Sequence, residues 1–415
     1  MNIYAKVILI ALLAEFALQL AARYLSLNSL LRRPPESFAD VISSDRYRQL
    51  QDYVRARTQL RTAYDIFYLA VLMVFWFSGG FRWLDNWIVS WRFGPLWTGL
   101  LVLGAIALGW VLLALPFTTY STFRIEAHFG FNNTTLRTFL VDLLKGTILA
   151  VVIGGPLLAA ILTLLSDGVG HAWLYAWILV AALFVLIQMV APSIILPLFN
   201  KFEPLTDQQL REAISSYAAH VDFPLAALSV MDASTRSSKS NAFFTGFGSN
   251  HRLVLDDTIL DRHTVPELVA IVAHEVGHYK KRHIPLRVMI EVVHVGVFFL
   301  LMSFFLNAKE LFHAFYVDRP SVYLGIVFFV LLYSPVAFGW SIVFNWLARK
   351  QEYAADRFAA ETTGQPAALA KALRKLTVDN LSQLAPHNMD VVLNYSHPPL
   401  RDRIRALAAL DVPKE

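Results

Sequence analysis

The chain is predicted to be a mainly α-helical, polytopic membrane protein with seven transmembrane helices and a small α+β segment. Three observations predict it. Of the 415 residues, 56% are hydrophobic and 16% charged, and the mean hydropathy is +0.49. Several apolar runs reach or approach the roughly 20 residues that cross a bilayer. Only two long stretches are polar enough to live outside it.

The elements follow in order. Helix one spans about 4–24, starting almost at Met1. It lacks a basic leading region and a small-residue cleavage site, and is expected to be a retained helix. A basic segment follows, with Arg32, Arg33, Arg46, Arg48, Arg55, Arg57 and Arg61. Helix two is expected at 63–81. A Trp-rich link (Trp83, Trp87, Trp91) suits a membrane interface, and helix three spans 96–117. A polar loop to about 144 precedes helices four and five, 145–165 and 172–196. Helices six and seven span 284–306 and 321–347.

This divides the chain into membrane helices one to five (1–196), a segment with a small sheet and a motif helix (197–283), helices six and seven (284–347), and a helical C-terminal segment (348–415). Residues 197–283 open with an amphipathic helix near Thr206, then strand-like runs LSVMD, NAFFTGF and HRLVLDD, with a turn at Gly246, Gly248, Ser249 and Asn250. Helices are expected at 348–362, 366–384 and 398–410. With the N-terminus outside, the inside segments hold 29 Lys and Arg against 4 outside. That split orients the chain with the motif helix and C-terminus cytoplasmic.

The chain has no cysteine, which excludes disulfides, iron–sulfur clusters and thiolate zinc. The net charge of +5 is accounted for by topology signals and does not mark a nucleic-acid binder. Any metal must use His and carboxylate.

The stretch AHEVGHYKKRH, Ala273 to His283, contains HExxH. On a helix His274 and His278, four apart, share a face and can clamp one metal. Glu275 then stands beside the open position, placed to take a proton from a water. Zinc suits two imidazoles and a carboxylate. Thr264 and Glu267 form a capping box that starts this helix. HExxH also occurs by chance, but a buried His-Glu-His cluster in the apolar run LVAIVAHEVGHY needs partners, and one metal supplies them.

A third ligand is needed. Glu352 and Asp356 in NWLARKQEYAADRFAAE are four apart: either Glu352 binds metal with Asp356 behind a histidine, or both are solvated and pair with Arg349 and Lys350. In NYSHPPLRDRI, His397 precedes two prolines and is held extended; it is either an oxyanion donor or a surface histidine. In helix six Arg287, Glu291 and His294 form one stripe, either an internal Arg287–Glu291 pair or the wall of a watery cavity. Glu15, Gln19 and Gln188 suit the same cavity.

These segments together resemble the integral-membrane zinc proteases of the type I CaaX prenyl endopeptidase family, a gluzincin group. FRIEAHFGFNNTTLRTF, ILPLFNKFEPL, KSNAFFTGF, AHEVGHYKKRH, RKQEYAADRFA and NYSHPPLRDRI occur in the family's order. The resemblance implies a barrel of seven helices around an internal chamber, capped by a gluzincin-type zinc domain. It implies one Zn²⁺ held by His274, His278 and Glu352, with Asp356 behind. It implies His397 and Arg403 as transition-state support, and Asn241, Ala242 and Phe243 on the strand that pairs with substrate. Helix six's polar stripe agrees with a chamber.

The expected activity is zinc-dependent peptide hydrolysis with Glu275 as base, on protein substrates that are prenylated in the family. The chain is shorter than eukaryotic members and ends DVPKE with no retrieval signal, which leans toward a bacterial inner-membrane homologue. A quality-control membrane protease is one alternative. A transporter or channel with structural zinc is another, although no paired half-repeats with broken helices are visible. Oligomeric state is not readable from the sequence.

Overall fold

A computed structural model describes residues 1–30, 34, 38, 41–166, 170–247 and 250–410. Arg32, Arg33, Gly248, Ser249 and the terminal DVPKE lie outside them. Among the described residues seven helices are long and apolar enough to cross a membrane. They are α1 (Ile3–Asn28), α2 (Ser44–Phe77), α4 (Pro95–Tyr120), α5 (Leu136–Ser166), α6 (Ala172–Val190), α11 (His283–Phe305) and α13 (Val322–Thr363).

Three of them run well further than hydropathy alone predicts; the least extended is α5, which starts at Leu136 in place of the expected 145. α2 starts at Ser44, capped by Ser43, and carries Arg46, Arg48, Arg55, Arg57 and Arg61 of the basic segment as helix. Its Tyr47, Leu50 and Tyr53 are buried in a cluster with Ile125, Phe129, Phe131, Leu381 and Leu400. α13 joins the seventh span to the expected 348–362 helix without a break, 42 residues in all. At 1.5 Å per residue it is about 63 Å long. The last turns of α4 and α6 widen into π-helical segments, Ser121–Glu126 and Ala191–Ile195. The second contains Pro192, which lacks the amide an α-turn needs.

The Trp-rich link is itself a helix, α3 (Gly80–Val89). Trp83 and Trp87 stack outward at 5.6 Å, while Phe81, Leu84 and Ile88 are buried. With α12 (Lys309–His313) it caps one end of the membrane region. Trp76, Phe81, Phe312, Phe315 and Phe328 pack there, and the Trp76 indole donates to the Ala314 carbonyl at 2.8 Å.

The other end carries the soluble unit. After the short α7 (Leu196–Phe199) come β1 (Phe202–Pro204), α8 (Gln208–His220), β2 (Leu225–Met231), β3 (Ala242–Phe247), β4 (Asn250–Asp256), α9 (Asp257–Leu260) and α10 (Val265–Lys280). The C-terminal segment adds α14 (Pro366–Asp379) and α16 (Leu400–Ala408), slightly shorter than expected, and α15 (Asn388–Asn394), which was not expected. The sheet order is β1-β2-β4-β3. β2 and β4 are parallel and the other pairs antiparallel, so β3 lies at an edge. One core joins both soluble segments: Leu253, Leu255, Leu268, Ile271, Ala359, Leu369 and Leu407. α10 and α13 touch closely at Gly277, where a Cβ would stand 3.1 Å from the Ala355 backbone.

Candidate active site

α10 starts with the predicted capping box: the Thr264 amide donates to the Glu267 carboxylate at 3.0 Å, and Thr264 answers at the third residue. Glu267 is 2% exposed and receives Lys375 of α14 at 2.6 Å. This fixes the start of the helix, and three turns on His274 and His278 share one face.

α13 brings Glu352 to that face. His274 Nε2 and His278 Nε2 are 3.2 Å apart. Each lies 3.4 Å from an oxygen of Glu352. Zinc bonds of about 2.05 Å in a tetrahedron give ligand–ligand edges of about 3.3 Å, so the three donors fit one such ion. All three are buried and lie within 4.8 Å of one another. Glu352 Oε2 is buried with no hydrogen-bond donor, as an oxygen facing a metal would be.

The charges agree. Burial works against protonation of His274, but Asp356 and Glu352 outweigh it and raise its pKa. Burial and then the charge on His274 push His278 down. Glu275, next to His274 on α10, is half-buried; burial lifts its carboxyl to about 7, with His274, Arg403 and Arg287 pulling it down and Glu352 adding to the rise.

Around these donors the other predicted residues gather. Asp356 Oδ1 faces His274 Nδ1 at 2.9 Å, so Nε2 is the nitrogen turned toward His278 and Glu352. Arg403 clamps Asp356 through two bonds, Nε at 2.8 Å and an NH2 at 2.6 Å. Arg403 also lies 3.7 Å from Glu352. His397 Nε2 is 3.5 Å from Glu352, yet its side chain is 65% exposed. Arg349 holds its loop by donating to the Val391 and Tyr395 carbonyls at 2.9 and 2.6 Å. Asn241 precedes β3, its carbonyl accepting from the Asp256 amide at 3.1 Å. Ala242 packs into the core shared with α10, and Phe243 pairs with Val254 of β4. The opposite edge of β3 is free of strand partners among the described residues.

Three features were not anticipated. His283 Nδ1 sits 3.0 Å from His278 Nδ1; Arg282 in the left-handed region (φ 54°) folds it back, which helical spacing cannot foresee. Arg287 does not pair with Glu291. It donates to Gln351 and lies 3.9 Å from Glu352, because α13 passes closer than the next turn of its own helix. Glu291 meets His294 at 3.4 Å instead, and His294 stacks on Trp340 at 4.4 Å. The third is a knot around Lys239, whose ammonium donates to Tyr53 at 2.6 Å and Glu126 at 2.9 Å.

A membrane-embedded fold whose soluble cap carries HExxH and a distant glutamate on one metal-sized cage defines a metalloendopeptidase of the bilayer. The comparisons agree. Residues 24–201 match the family model described as CAAX prenyl protease N-terminal, five membrane helices. Residues 204–411 match peptidase family M48, whose members use zinc. The chain belongs to this family, which decides against a transporter. It is 38% identical over 302 residues to a CAAX prenyl protease 1 homolog of Oryza sativa subsp. japonica, covering 72% of this chain and 71% of that one. It is 31% identical over 399 residues to CAAX prenyl protease 1 of Saccharomyces cerevisiae, covering 90% and 88%. The crystal structure of S. mikatae Ste24p superposes with a TM-score of 0.92 at 29% identity, covering 98% of this chain and 99% of that one.

Proposed function

We propose that this zinc metalloendopeptidase cleaves proteins ending in a prenylated CaaX box, as the names of its relatives indicate for them. The observation that carries the reading is the convergence of His274, His278 and Glu352, with Glu275 next to His274 on α10 and the edge strand β3 packed into the core that α10 shares. His274, His278 and Glu352 are the metal ligands. Zinc, when bound, supplies the Lewis acid for the scissile carbonyl and acidifies the attacking water.

Substrate lies extended along Asn241, Ala242 and Phe243, adding a strand to the sheet. Glu275 takes the proton of the attacking water and delivers it to the leaving amine. His397, exposed and adjacent to Glu352, donates to the oxyanion. Asp356 fixes the tautomer of His274, and Arg403 fixes Asp356.

We place the active site on the cytoplasmic side and the N-terminus outside, on the basis of the 29-to-4 basic split. A chamber within the seven helices is supported by the polar stripe of α11, where Glu291 and His294 lie 3.4 Å apart within a membrane span. The relatives named above are eukaryotic, so the host rests on composition; with no cysteine, a bacterial inner membrane stays our reading.

A quenched-fluorescent CaaX peptide, prenylated or plain, tests the specificity with Glu275→Gln as blank. Cleavage of the prenylated peptide alone is expected. Equal cleavage of both moves the role to general membrane-protein quality control.

A further inference from the structure

A cavity of about 760 Å³ lies between α1, α2 and α4 and is lined by Arg23, Arg57, Arg61 and Asp65. It is not an isolated membrane void. Asn394 and Tyr395, three and two residues before His397, form part of its wall. Its other approach to the active site runs through β3. Arg57 donates to the Tyr53 hydroxyl at 3.1 Å, and Lys239 donates to that same hydroxyl at 2.6 Å. Lys239 is two residues before Asn241, on the lead-in to the substrate-pairing edge. The cavity is thus joined to the loop that leads to His397 and, through Tyr53 and Lys239, to the lead-in of β3.

The charges there are unequally shared. Arg23 and Arg61 both use Asp65. Arg57 and Lys239 both use Glu126, at 3.9 and 2.9 Å. Four cations divide two carboxylates. Glu15 and Asp390 also line the cavity, but among the described residues neither is ion-paired to an arginine, and Asp390 accepts from Asn394 at 2.8 Å. The side chains of Arg57 and Arg61 are 55% and 66% exposed, while that of Arg23 is 13% exposed. Arg57 and Arg61, one turn apart on α2, are therefore the two cations with donors to spare.

We propose that Arg57 and Arg61 receive the free C-terminal carboxylate of the substrate. The inference rests on the CaaX reading above. Hydrolysis after the modified cysteine releases a tripeptide, so a carboxylate lies about 10 Å downstream of the scissile bond in an extended chain. A substrate running antiparallel to β3 carries its downstream end toward the start of that strand, where Lys239, Tyr53 and Arg57 meet. Guanidinium groups match a carboxylate in two-bond geometry. Recognition of the terminus makes the enzyme count three residues back from the chain end.

The test uses the full-length protein in detergent and two quenched-fluorescent farnesylated CaaX peptides, one with a free C-terminal carboxylate and one with a carboxamide. The readout is the acid-to-amide ratio of kcat/KM. For wild type the acid is expected to be favoured roughly ten- to hundredfold, chiefly through KM. The ratio is expected to fall to near one in the Arg57→Gln/Arg61→Gln double variant and to be largely recovered with Lys at both positions. Being a ratio within one variant, it is insensitive to how much of the preparation is folded. A wild-type ratio near one, or an unchanged ratio in the double Gln variant, overturns the proposal while leaving the protease reading intact. Cleavage of neither peptide by wild type overturns the CaaX reading and this inference with it.

Discussion

Asp356→Asn is the substitution whose consequences the structure determines most fully. The carboxylate is 2% exposed; it accepts from two Arg403 nitrogens at 2.8 and 2.6 Å and faces His274 Nδ1 at 2.9 Å. Asparagine keeps the shape but offers one acceptor atom and turns an amide donor toward the other partner. If the oxygen faces His274, Arg403 meets a donor; if it faces Arg403, His274 does. Losing such an orienting partner costs a metal site about ten- to a hundredfold in affinity, or about 1.4–2.7 kcal/mol. A buried arginine without its partner costs about 3–5 kcal/mol of stability. Glu352 stays 3.7 Å from Arg403 and shares the load, so the lower figure applies. Zinc affinity by competition with a chelating dye, and thermal unfolding of the metal-free protein in detergent, measure the two effects separately. Adding Arg403→Met should recover part of the stability and none of the zinc affinity. A zinc Kd within twofold of wild type in Asp356→Asn refutes the role given to Asp356.

The other variants probe the remaining parts of the site. Glu275→Gln should keep one zinc per chain by elemental analysis and lose about 10²–10⁴ in kcat; a rate near wild type removes Glu275 as the base. Glu352→Ala should lower zinc occupancy and activity together, and full occupancy would return Glu352 to a structural role. Glu267→Gln should lose about 1–2 kcal/mol at pH 7. Burial raises the Glu267 pKa, but Lys375 and the Thr264 amide more than offset it and hold it low. Its contribution is therefore present above the ordinary carboxyl pKa and fades as pH falls through the lowered one; denaturation at pH 7 and below pH 4 should show the gap closing. Gly277→Ala should destabilise by about 1–3 kcal/mol despite alanine's better helix propensity, because its methyl meets the Ala355 backbone at 3.1 Å. A stabilised variant would mean that α10 and α13 separate easily.

The spans were legible because apolar length is a local property. α3 was harder to see. Trp83, Trp87 and Trp91 recur every four residues, a helical spacing that is equally natural for an interfacial belt. The helical start of α2 was hidden because its Tyr47, Leu50 and Tyr53 read as a sparse pattern among arginines, and their burial depends on Phe129, Phe131 and Leu400 far along the chain. At the site, HExxH announced itself through i, i+4 spacing, and NAFFTGF and HRLVLDD through alternation and a turn. Glu352 and His397 required the family's order of motifs, since no spacing connects them to α10. His283 and Arg287 stayed unseen for a related reason. Their partners were chosen by a left-handed residue and by a neighbouring helix, and neither leaves a periodic trace.

The pairing proposed for the edge of β3 has a consequence for what the enzyme would select. Backbone amides and carbonyls pair only with another backbone in extended form. A segment already folded as helix or sheet has spent those groups and has none to offer. Such a site sorts proteins by whether a stretch of chain is loose enough to be straightened. Chain ends are the loosest stretches most proteins possess, so the strand acts as a filter for tails before any side chain is inspected.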